Sequence, residues 1–240
     1  MNNLVVTILA AGKGTRMNSD ITKVCHMVGN KTMIEHVVTT ASELSPKDIV
    51  VVVSKDNISD IRKSLGESDV RFKIQYGQLG TAHAVLSAVP CCNDKSDLLV
   101  LLGDVPLISS KTLRKIISTP YDAVIIGFRN SDPTNGLGRI VIKGNRVNKI
   151  VEYVEATETE RAIDLCNSGM LWIKASKVPL LYQINNNNKK GEYYLTDIIE
   201  IMVNQGLEIG FLETSSDECM GVNTPEDLAI VNQFKQEYNQ

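Results

Sequence analysis

The sequence has no long apolar run and no excess of charge of one sign, and each absence excludes a class of protein. No stretch approaches the roughly 18 consecutive apolar residues that a membrane-spanning helix needs. The formal net charge is only −3, with both signs spread along the chain, whereas nucleic-acid-binding proteins usually carry a basic stripe. The composition therefore predicts a protein that binds neither a membrane nor a nucleic acid.

The cysteines are also not spaced as metal ligands or disulfide partners usually are. The five cysteines include no Cys-x-x-Cys pair, and their number is odd, so neither a zinc ribbon nor a disulfide framework is expected. The first residues show no basic region followed by an apolar stretch and a cleavage site. These features predict a protein of a reducing compartment, the cytosol.

What the sequence does contain is a series of short apolar runs that alternate with helical patterns. The runs Leu4–Leu9, Ile49–Val53 and Leu98–Leu102 read as buried strands. Such strands between helices are typical of a mostly parallel sheet covered on both faces. Further strands are predicted over residues 71–75, 123–128, 139–142, 146–153 and 165–173. Helices are predicted over residues 33–44, 58–65, 81–89 and 194–203, and from Thr224 onward.

The segment Ala10–Arg16, Ala-Ala-Gly-Lys-Gly-Thr-Arg, follows the first strand and indicates a phosphate-binding turn. Its two glycines allow a sharp turn that points several N–H groups at one spot. A Walker loop is absent, and a dinucleotide fingerprint would need a small residue at Met17. The glycine pair alone fits a plain tight turn equally well. The cationic side chains of Arg16 and Lys23 favour a polyphosphate.

A carboxylate follows the most apolar strand, in Gly103-Asp104-Val105-Pro106. In open parallel sheets, ligands collect beyond the carboxyl ends of the strands. An aspartate there suits a hard cation such as Mg²⁺, although Asp104 by itself fits a turn or a helix cap slightly better. Together with the glycine-rich loop, it indicates one crevice for a polyphosphate and a cation.

Sequence blocks along nearly the whole chain resemble those of one family. They are Leu9–Met17, Lys23–Val24, Gln78–Thr81, Gly103–Ile108, Gly138–Ile140, Ile150–Glu152, Asn167–Gly169, Gly191–Asp197 and Gly221–Asn223. In this order they resemble the sugar-phosphate nucleotidyltransferases, and among them the uridylyltransferase domain of the bifunctional bacterial enzymes that make UDP-N-acetylglucosamine.

The resemblance implies an α/β, Rossmann-like nucleotide-diphospho-sugar transferase fold. In it, a mixed, mostly parallel sheet is flanked by helices and carries a β-rich sugar-binding insertion. Residues 1–240 would form a single domain, with a nucleotide-binding half over about residues 1–110 and a sugar-binding half over about residues 111–240.

The resemblance also implies a role for each matching position. Nucleotide binding would fall to Leu9, Ala10, Ala11, Gly12, Gln75, Gly80 and Thr81. Catalysis would rest on Arg16, Lys23 and Asp104. Mg²⁺, the implied cofactor, would be held by Asp104 and Asn223. The sugar would be contacted by Leu102, Gly103, Gly138, Glu152 and Asn167.

The implied reaction joins UTP to N-acetylglucosamine 1-phosphate and releases pyrophosphate. It needs no general base, because the second pKa of a phosphate monoester is about 6 and the attacking oxygen is already largely anionic. Of the three histidines, His83 would lie near the nucleotide, where a structural role is favoured. The acetyl-transferring part of the bifunctional enzymes has no counterpart in this sequence, so acetyl transfer is not expected. The oligomeric state is not predicted.

The sequence departs from the family pattern at Thr22, Ala82, Leu102 and Tyr153. Leu102 stands where a tyrosine is usual on the sugar side. It leaves open a transferase for another sugar 1-phosphate or another nucleotide. A catalytically silent sugar-nucleotide sensor is a second alternative, against which the intact charged residues count. An NAD-dependent oxidoreductase is a more distant third.

Overall fold

The apolar runs of the sequence form the strands of the computed structural model, which describes residues 3–92, 95–144 and 146–237. The strands in this part of the chain are β1 (Leu4–Leu9), β2 (Met27–Val28), β3 (Lys31–Thr32), β4 (Asp48–Val53), β5 (Arg71–Ile74), β6 (Asp97–Leu102), β7 (Ala123–Arg129), β8 (Arg139–Lys143), β9 (Arg146–Val151), β10 (Leu165–Ile173) and β11 (Ile209–Glu213). The α-helices are α1 (Met33–Ser42), α2 (Ile58–Leu65), α3 (Thr81–Ala88), α4 (Ser110–Ile117), α5 (Glu158–Arg161), α6 (Asp197–Asn204) and α7 (Pro225–Glu237).

Nine strands form one sheet in the order β11-β7-β10-β6-β1-β4-β5, and the β8–β9 hairpin joins it through β10. The pairs β1–β4, β1–β6, β4–β5 and β7–β11 are parallel, whereas β10 runs antiparallel to β6 and β7. The predicted mixed, mostly parallel sheet is confirmed. Because β1, β5 and β6 are parallel, Leu9, Ile74 and Leu102 end at the same edge of the sheet.

The central strands are buried on both faces. Alternate residues of β6 pack to opposite sides: Leu99 and Leu101 join the core beneath α1, α2 and α4, while Leu98 and Val100 join the core beneath α3 and α6. Each fully buried leucine contributes about 1.5–3 kcal/mol relative to an exposed one. This two-sided burial explains why the run is apolar throughout, and it fixes the strand end that carries Asp104.

Two helices begin at a threonine that exchanges hydrogen bonds with an acidic residue three positions later. Thr32 Oγ1 accepts a hydrogen bond from Glu35 N at 3.3 Å, and Thr32 N donates to Glu35 Oε2 at 2.6 Å. At α7, Asp227 N donates to Thr224 Oγ1 at 3.2 Å, and Thr224 N donates back to Asp227 Oδ2 at 2.9 Å. The helices of the described residues are short, and none is both long and apolar enough to cross a membrane.

Five elements were absent from the sequence prediction, namely the two-residue strands β2 and β3, the single-turn helix α5, helix α4 and strand β11. Helix α4 begins at the cap Ser109, whose hydroxyl accepts from Thr112 N, and buries Leu113 and Ile116. Strand β11 pairs with β7 at the end of the sheet and buries only Ile209 and Gly210. Strand β11 carries too few buried residues for its periodicity to identify it. Helix α4 buries as many apolar residues as α2, and its serine cap was the signal that could have identified it.

Candidate active site

The glycine-rich loop that follows β1 is tied down from two sides. Asn57 Nδ2 donates to Ala10 O at 2.8 Å, and Gln78 Nε2 donates to Ala11 O at 2.7 Å. In the described part of the chain, the backbone N–H groups of residues 11–14 have no protein acceptor. A fixed loop with free N–H groups is suited to binding phosphate oxygens.

Gly14 brings this loop against Lys23. Its φ of 63° lies in the left-handed region, and a Cβ there would lie 2.5 Å from Lys23 Cβ. Glycine therefore allows both the turn and the close approach. The consequence is that the Lys23 side chain extends from the base of the loop toward the sheet edge.

At that edge, three distant segments meet in one polar cluster. Lys23 Nζ donates to Asp104 Oδ2 and, at 3.1 Å, to Asn223 Oδ1. Arg16 Nη2 donates to the same Asn223 oxygen at 3.0 Å. The Lys23 and Asp104 side chains are only 13% and 19% exposed, so their ion pair is shielded from solvent. The four residues for which catalytic and metal-binding roles were predicted thus lie together.

Backbone contacts hold this cluster in place. Gly103 N donates to Leu9 O at 2.9 Å, which joins the ends of β1 and β6. Val222 N donates to Asp104 O at 2.9 Å, so the aspartate is tied to the segment before α7. Asn223 N donates to Asp227 Oδ2 at 2.8 Å, and the cap of α7 therefore fixes the amide that faces Lys23.

The oxygens of Asp104 and Asn223 fit a hard divalent cation. A carboxylate and an amide oxygen converge on one point, and the ammonium of Lys23 already lies between them. No group of three or more His, Cys, Asp or Glu side chains in the described residues could hold a metal. Mg²⁺ typically binds to one or two carboxylates and completes its shell with substrate phosphates and water. This donor set therefore suits a metal that shares its ligands with a phosphate.

A cavity of about 370 Å³ lies on one side of the cluster and collects the predicted nucleotide-binding residues. Its lining includes Leu9, Ala10, Ala11, Gly12, Lys23, Gln75, Gln78, Gly80, Thr81, Leu102, Asp104 and Glu192. Gly80 has a φ of 114°, and a Cβ there would lie 2.5 Å from the Tyr193 carbonyl oxygen. The turn before α3 is thereby closed tightly against the chain around Tyr193.

A smaller cavity of about 100 Å³ collects predicted sugar-binding residues. Glu152 and Asn167 lie in its largely apolar lining, and Glu152 Oε1 accepts from Thr196 Oγ1 at 2.8 Å. Leu9, Thr81 and Leu102 line both cavities. The two spaces therefore adjoin at the end of β1 and β6.

Two predicted sugar-binding glycines line neither of these cavities. Gly138 accepts a hydrogen bond from Asn167 N at 2.8 Å and so positions that residue. Gly103 is packed closely, since a Cβ there would lie 3.2 Å from Leu9 O and from Ile34 Cδ1. Both glycines therefore contact protein atoms next to the cavities and do not line the cavities themselves.

The two sides of the site differ in charge. Burial, and after it the charge of Glu152, raises the pKa of Asp197 to about 6. Burial, and after it the charge of Glu192, raises the pKa of the Tyr194 hydroxyl to about 12. Asp197 therefore lies close to Glu152 of the smaller cavity and makes that side acidic, whereas Arg16 and Lys23 supply positive charge by the glycine-rich loop, where Glu192 also lines the larger cavity. A polyanion is favoured on the cationic side.

Sequence reasoning missed the side chains that orient others. Gln78 holds the Ala11 carbonyl and Thr196 holds Glu152, but neither carries a charge that would signal a role. Both lie in sequence blocks that resemble the family, and this was the available signal. A larger cleft of about 610 Å³ contains none of the predicted site residues; Lys31 and Glu43 are among the residues that line it.

Comparison with known proteins identifies the family of this chain. A family model described as the MobA-like NTP transferase domain matches residues 6–182. The bifunctional protein GlmU of Bradyrhizobium diazoefficiens is 42% identical over 229 residues, which are 92% of this chain and 50% of that protein. The GlmU of Ruegeria sp. is 40% identical over 230 residues, 93% of this chain and 51% of that protein. The GlmU of Pseudoalteromonas atlantica is 37% identical over 238 residues, 96% and 52% of the two chains. This chain spans about half the length of these relatives.

Proposed function

Because the chain belongs to the MobA-like NTP transferase family, we propose that it transfers the uridylyl group of UTP to N-acetylglucosamine 1-phosphate and releases pyrophosphate. The observation that carries the proposal is the cluster of Arg16, Lys23, Asp104 and Asn223 beside two adjoining cavities. The larger cavity would take the nucleotide and the smaller the acetamido sugar. The substrates meet where positive charge is concentrated.

In this mechanism the free N–H groups of residues 11–14 bind phosphate oxygens of UTP, while Arg16 and Lys23 neutralise their charge. An oxygen of the sugar phosphate attacks the α-phosphorus in line, the bond to the β-phosphate oxygen breaks, and pyrophosphate leaves. Mg²⁺, bound by Asp104 and Asn223, would neutralise phosphate charge and align the phosphates. The chain contributes positioning and electrostatic stabilisation.

No side chain needs to remove a proton, since the attacking phosphate is already largely ionised near neutral pH. The histidines agree with this: in the described residues, none lines either cavity. His36 is buried with Nε2 2.7 Å from Val28 O, and burial lowers its pKa. A neutral, internally bonded imidazole has a packing role.

On the sugar side, Glu152 offers acceptors to hydroxyl groups and Asn167 offers both a donor and an acceptor to an acetamido group. The apolar lining around them suits the acetamido methyl group and the faces of a sugar ring. In this proposal, the half of the chain up to about residue 110 binds the nucleotide and the remainder binds most of the sugar, within one domain.

A transferase for a different sugar 1-phosphate is the second candidate, and Leu102 favours it. Its side chain lines both cavities and would lie 2.9 Å from a Cβ at Gly169. A leucine there can pack against a sugar but offers it no hydrogen bond. Selectivity among sugars would then depend on Glu152 and Asn167.

A substrate panel tests the proposal. The purified chain is incubated with Mg²⁺, each of the four common nucleoside triphosphates and a set of sugar 1-phosphates, and pyrophosphate release is measured. We expect the highest kcat/KM for UTP with N-acetylglucosamine 1-phosphate. A faster reaction with another sugar phosphate would support the second candidate. Binding without pyrophosphate release from any pair would identify a sensor.

The Asp104→Ala substitution should reduce pyrophosphate release by at least about 10²-fold, because it removes the carboxylate from the centre of the cluster. Circular dichroism should show an unchanged fold. The matched control is Asp48→Ala, which removes an ion-paired aspartate at the start of β4, at the opposite edge of the sheet. Near-normal turnover by Asp104→Ala would remove this residue from the site.

A further inference from the structure

The side-chain amide of Gln75 is held in one orientation at the wall of the nucleotide cavity. Gln75 follows β5 and is 7% exposed. Its Nε2 lies 3.1 Å from Gly80 O and 3.1 Å from His83 Nδ1. Its Oε1 has no hydrogen-bond partner in the described part of the chain.

The hydrogen-bonding chemistry of its neighbours forces this orientation. The Gly80 carbonyl can only accept a hydrogen bond, so the NH₂ group of Gln75, and not its Oε1, must face that carbonyl. The second N–H of that group points to His83, whose Nδ1 accepts it when the ring carries its proton on Nε2. Both donors of the amide are thus used within the protein, and only its oxygen remains for a ligand.

The elements around His83 keep its ring in place. Thr81 Oγ1 accepts from Leu195 N at 3.0 Å, and Ala82 N donates to Tyr193 O at 2.9 Å, so the first turn of α3 is bonded to the neighbouring chain. The His83 and Tyr193 rings lie 6.5 Å apart at an angle of 35°. The imidazole is therefore fixed on the side of Gln75 that faces away from its free oxygen.

We propose that His83 is a positioning residue for base selection, a role that rests on the nucleotide cavity of the proposed function. By occupying the second amide N–H of Gln75, it makes Gln75 an acceptor only. A pyrimidine that presents a ring N–H, as uracil does at N3, forms a hydrogen bond with this oxygen. Cytosine presents an unprotonated N3 at the same place, and two acceptors face each other.

Without an acceptor at position 83, one N–H of Gln75 has no partner and can turn toward the cavity to serve cytosine. The preference for UTP over CTP should therefore fall. A side chain that restores an acceptor at the position of Nδ1 should restore the preference. Mere packing of an aromatic ring would produce neither effect.

The experiment measures the dissociation constants of UTP and CTP by calorimetry for the wild-type chain, His83→Phe and His83→Asn, together with kcat/KM for both nucleotides. Phenylalanine keeps the ring and its contact with Tyr193 but removes the acceptor, whereas the asparagine oxygen can replace Nδ1. We expect the UTP-to-CTP affinity ratio to fall about five- to tenfold in His83→Phe, the equivalent of one neutral hydrogen bond. His83→Asn should stay within about twofold of the wild-type ratio.

An unchanged ratio in His83→Phe, or equal loss in both variants, would overturn the proposal, as would a wild-type chain that does not prefer UTP. If His83→Phe does not fold, His83→Leu, which also lacks an acceptor, takes its place. Failure of the proposed reaction gives a different result. The chain would then bind UTP selectively, and the His83 substitutions would change that selectivity, but no uridylyl group would be transferred to N-acetylglucosamine 1-phosphate. This outcome would reject the sugar substrate and leave the role of His83 intact.

Discussion

Lys23 is the residue at which three segments of the site meet. The carbon atoms of its side chain lie against Gly14 of the glycine-rich loop, and its ammonium bonds to Asp104 after β6 and Asn223 before α7. Its side chain is 13% exposed, so its charge acts through a medium less screening than water. A cation held this way costs no reorganisation when phosphate charge shifts during transfer.

In the proposed mechanism the charge of Lys23 stabilises the transition state. Replacing Lys23 by methionine, which keeps the stem but removes the charge, should therefore lower turnover by about 10²-fold or more. Pyrophosphate release under saturating substrates measures the effect. Lys31→Met, on β3 and away from the cluster, is the control and should have little effect. Turnover of Lys23→Met equal to that of this control would show that Lys23 has only a structural role.

The charged residues of this site could be predicted from the sequence, but the contacts between them could not. Arg16 and Lys23 lie beside a glycine-rich loop, and Asp104 follows an apolar strand, so both patterns are local. Asn223 bonds to Arg16 across 207 positions, and no local pattern announces such a contact. Only the resemblance to a family indicated Asn223. The bond between His83 and Gln75 spans only 8 positions, but it was not predicted because a lone histidine on a helix more often packs.

At the scale of elements, the turn before α3 connects the two cavities. Tyr193 N donates to Leu79 O at 2.8 Å, and Ala82 N donates to Tyr193 O at 2.9 Å. Gly80 lies between these bonds with a φ of 114° and with the Tyr193 backbone against its α-carbon. A change at this turn should therefore disturb the nucleotide side and the sugar side together.

The Gly80→Ala substitution should lower the free energy of unfolding by at least about 2 kcal/mol, because it adds a backbone clash to an unfavourable φ. Urea denaturation measures the loss. Gly206→Ala provides a matched control: its φ is 73°, but nothing lies within 4 Å of the added carbon. That control should lose only about 1 kcal/mol. Equal losses would mean that the turn tolerates separation from Tyr193.

The strands that the sequence predicts correctly are those with many buried residues. The observed bounds of β1, α2 and β10 are the predicted ones, and β4 and β6 differ by one residue at the start. Continuous burial imposes a continuous apolar pattern, which can be read without tertiary information. Strand β11 buries only two residues, so its pattern is too short to identify it. Helix α4 buries as many apolar residues as α2, so the extent of burial does not explain why it was missed.

At the scale of the whole molecule, the site places a cationic side against an acidic one. The acidic side carries a cost in stability. Burial first, and then the charges of Glu152, Glu200 and Glu155, raises the pKa of Asp197 to about 6, above its ordinary value of 3.8. Between these two values the folded protein holds this proton more tightly than the unfolded chain. The free energy of unfolding therefore falls as the pH rises through this window, and it stays reduced above it.

The Asp197→Asn substitution should remove that cost. We expect it to raise the free energy of unfolding at about pH 8 and to have little effect at about pH 3, below both pKa values, where the carboxyl is mostly protonated in both states. Urea denaturation at both pH values measures the difference. Asp164→Asn, whose side chain is 51% exposed, is the control and should give no comparable gain. A loss of stability at about pH 8 would contradict the assigned cost.

The most direct test of uridylyl transfer follows the phosphates of UTP separately. The chain is incubated with N-acetylglucosamine 1-phosphate, Mg²⁺ and UTP that carries its radiolabel at either the α- or the γ-phosphate, and the products are separated. Attack at the α-phosphorus predicts the α-label in UDP-N-acetylglucosamine and the γ-label in pyrophosphate. Release of the γ-label as inorganic phosphate, or an α-label that never enters a nucleotide sugar, would contradict the proposed reaction.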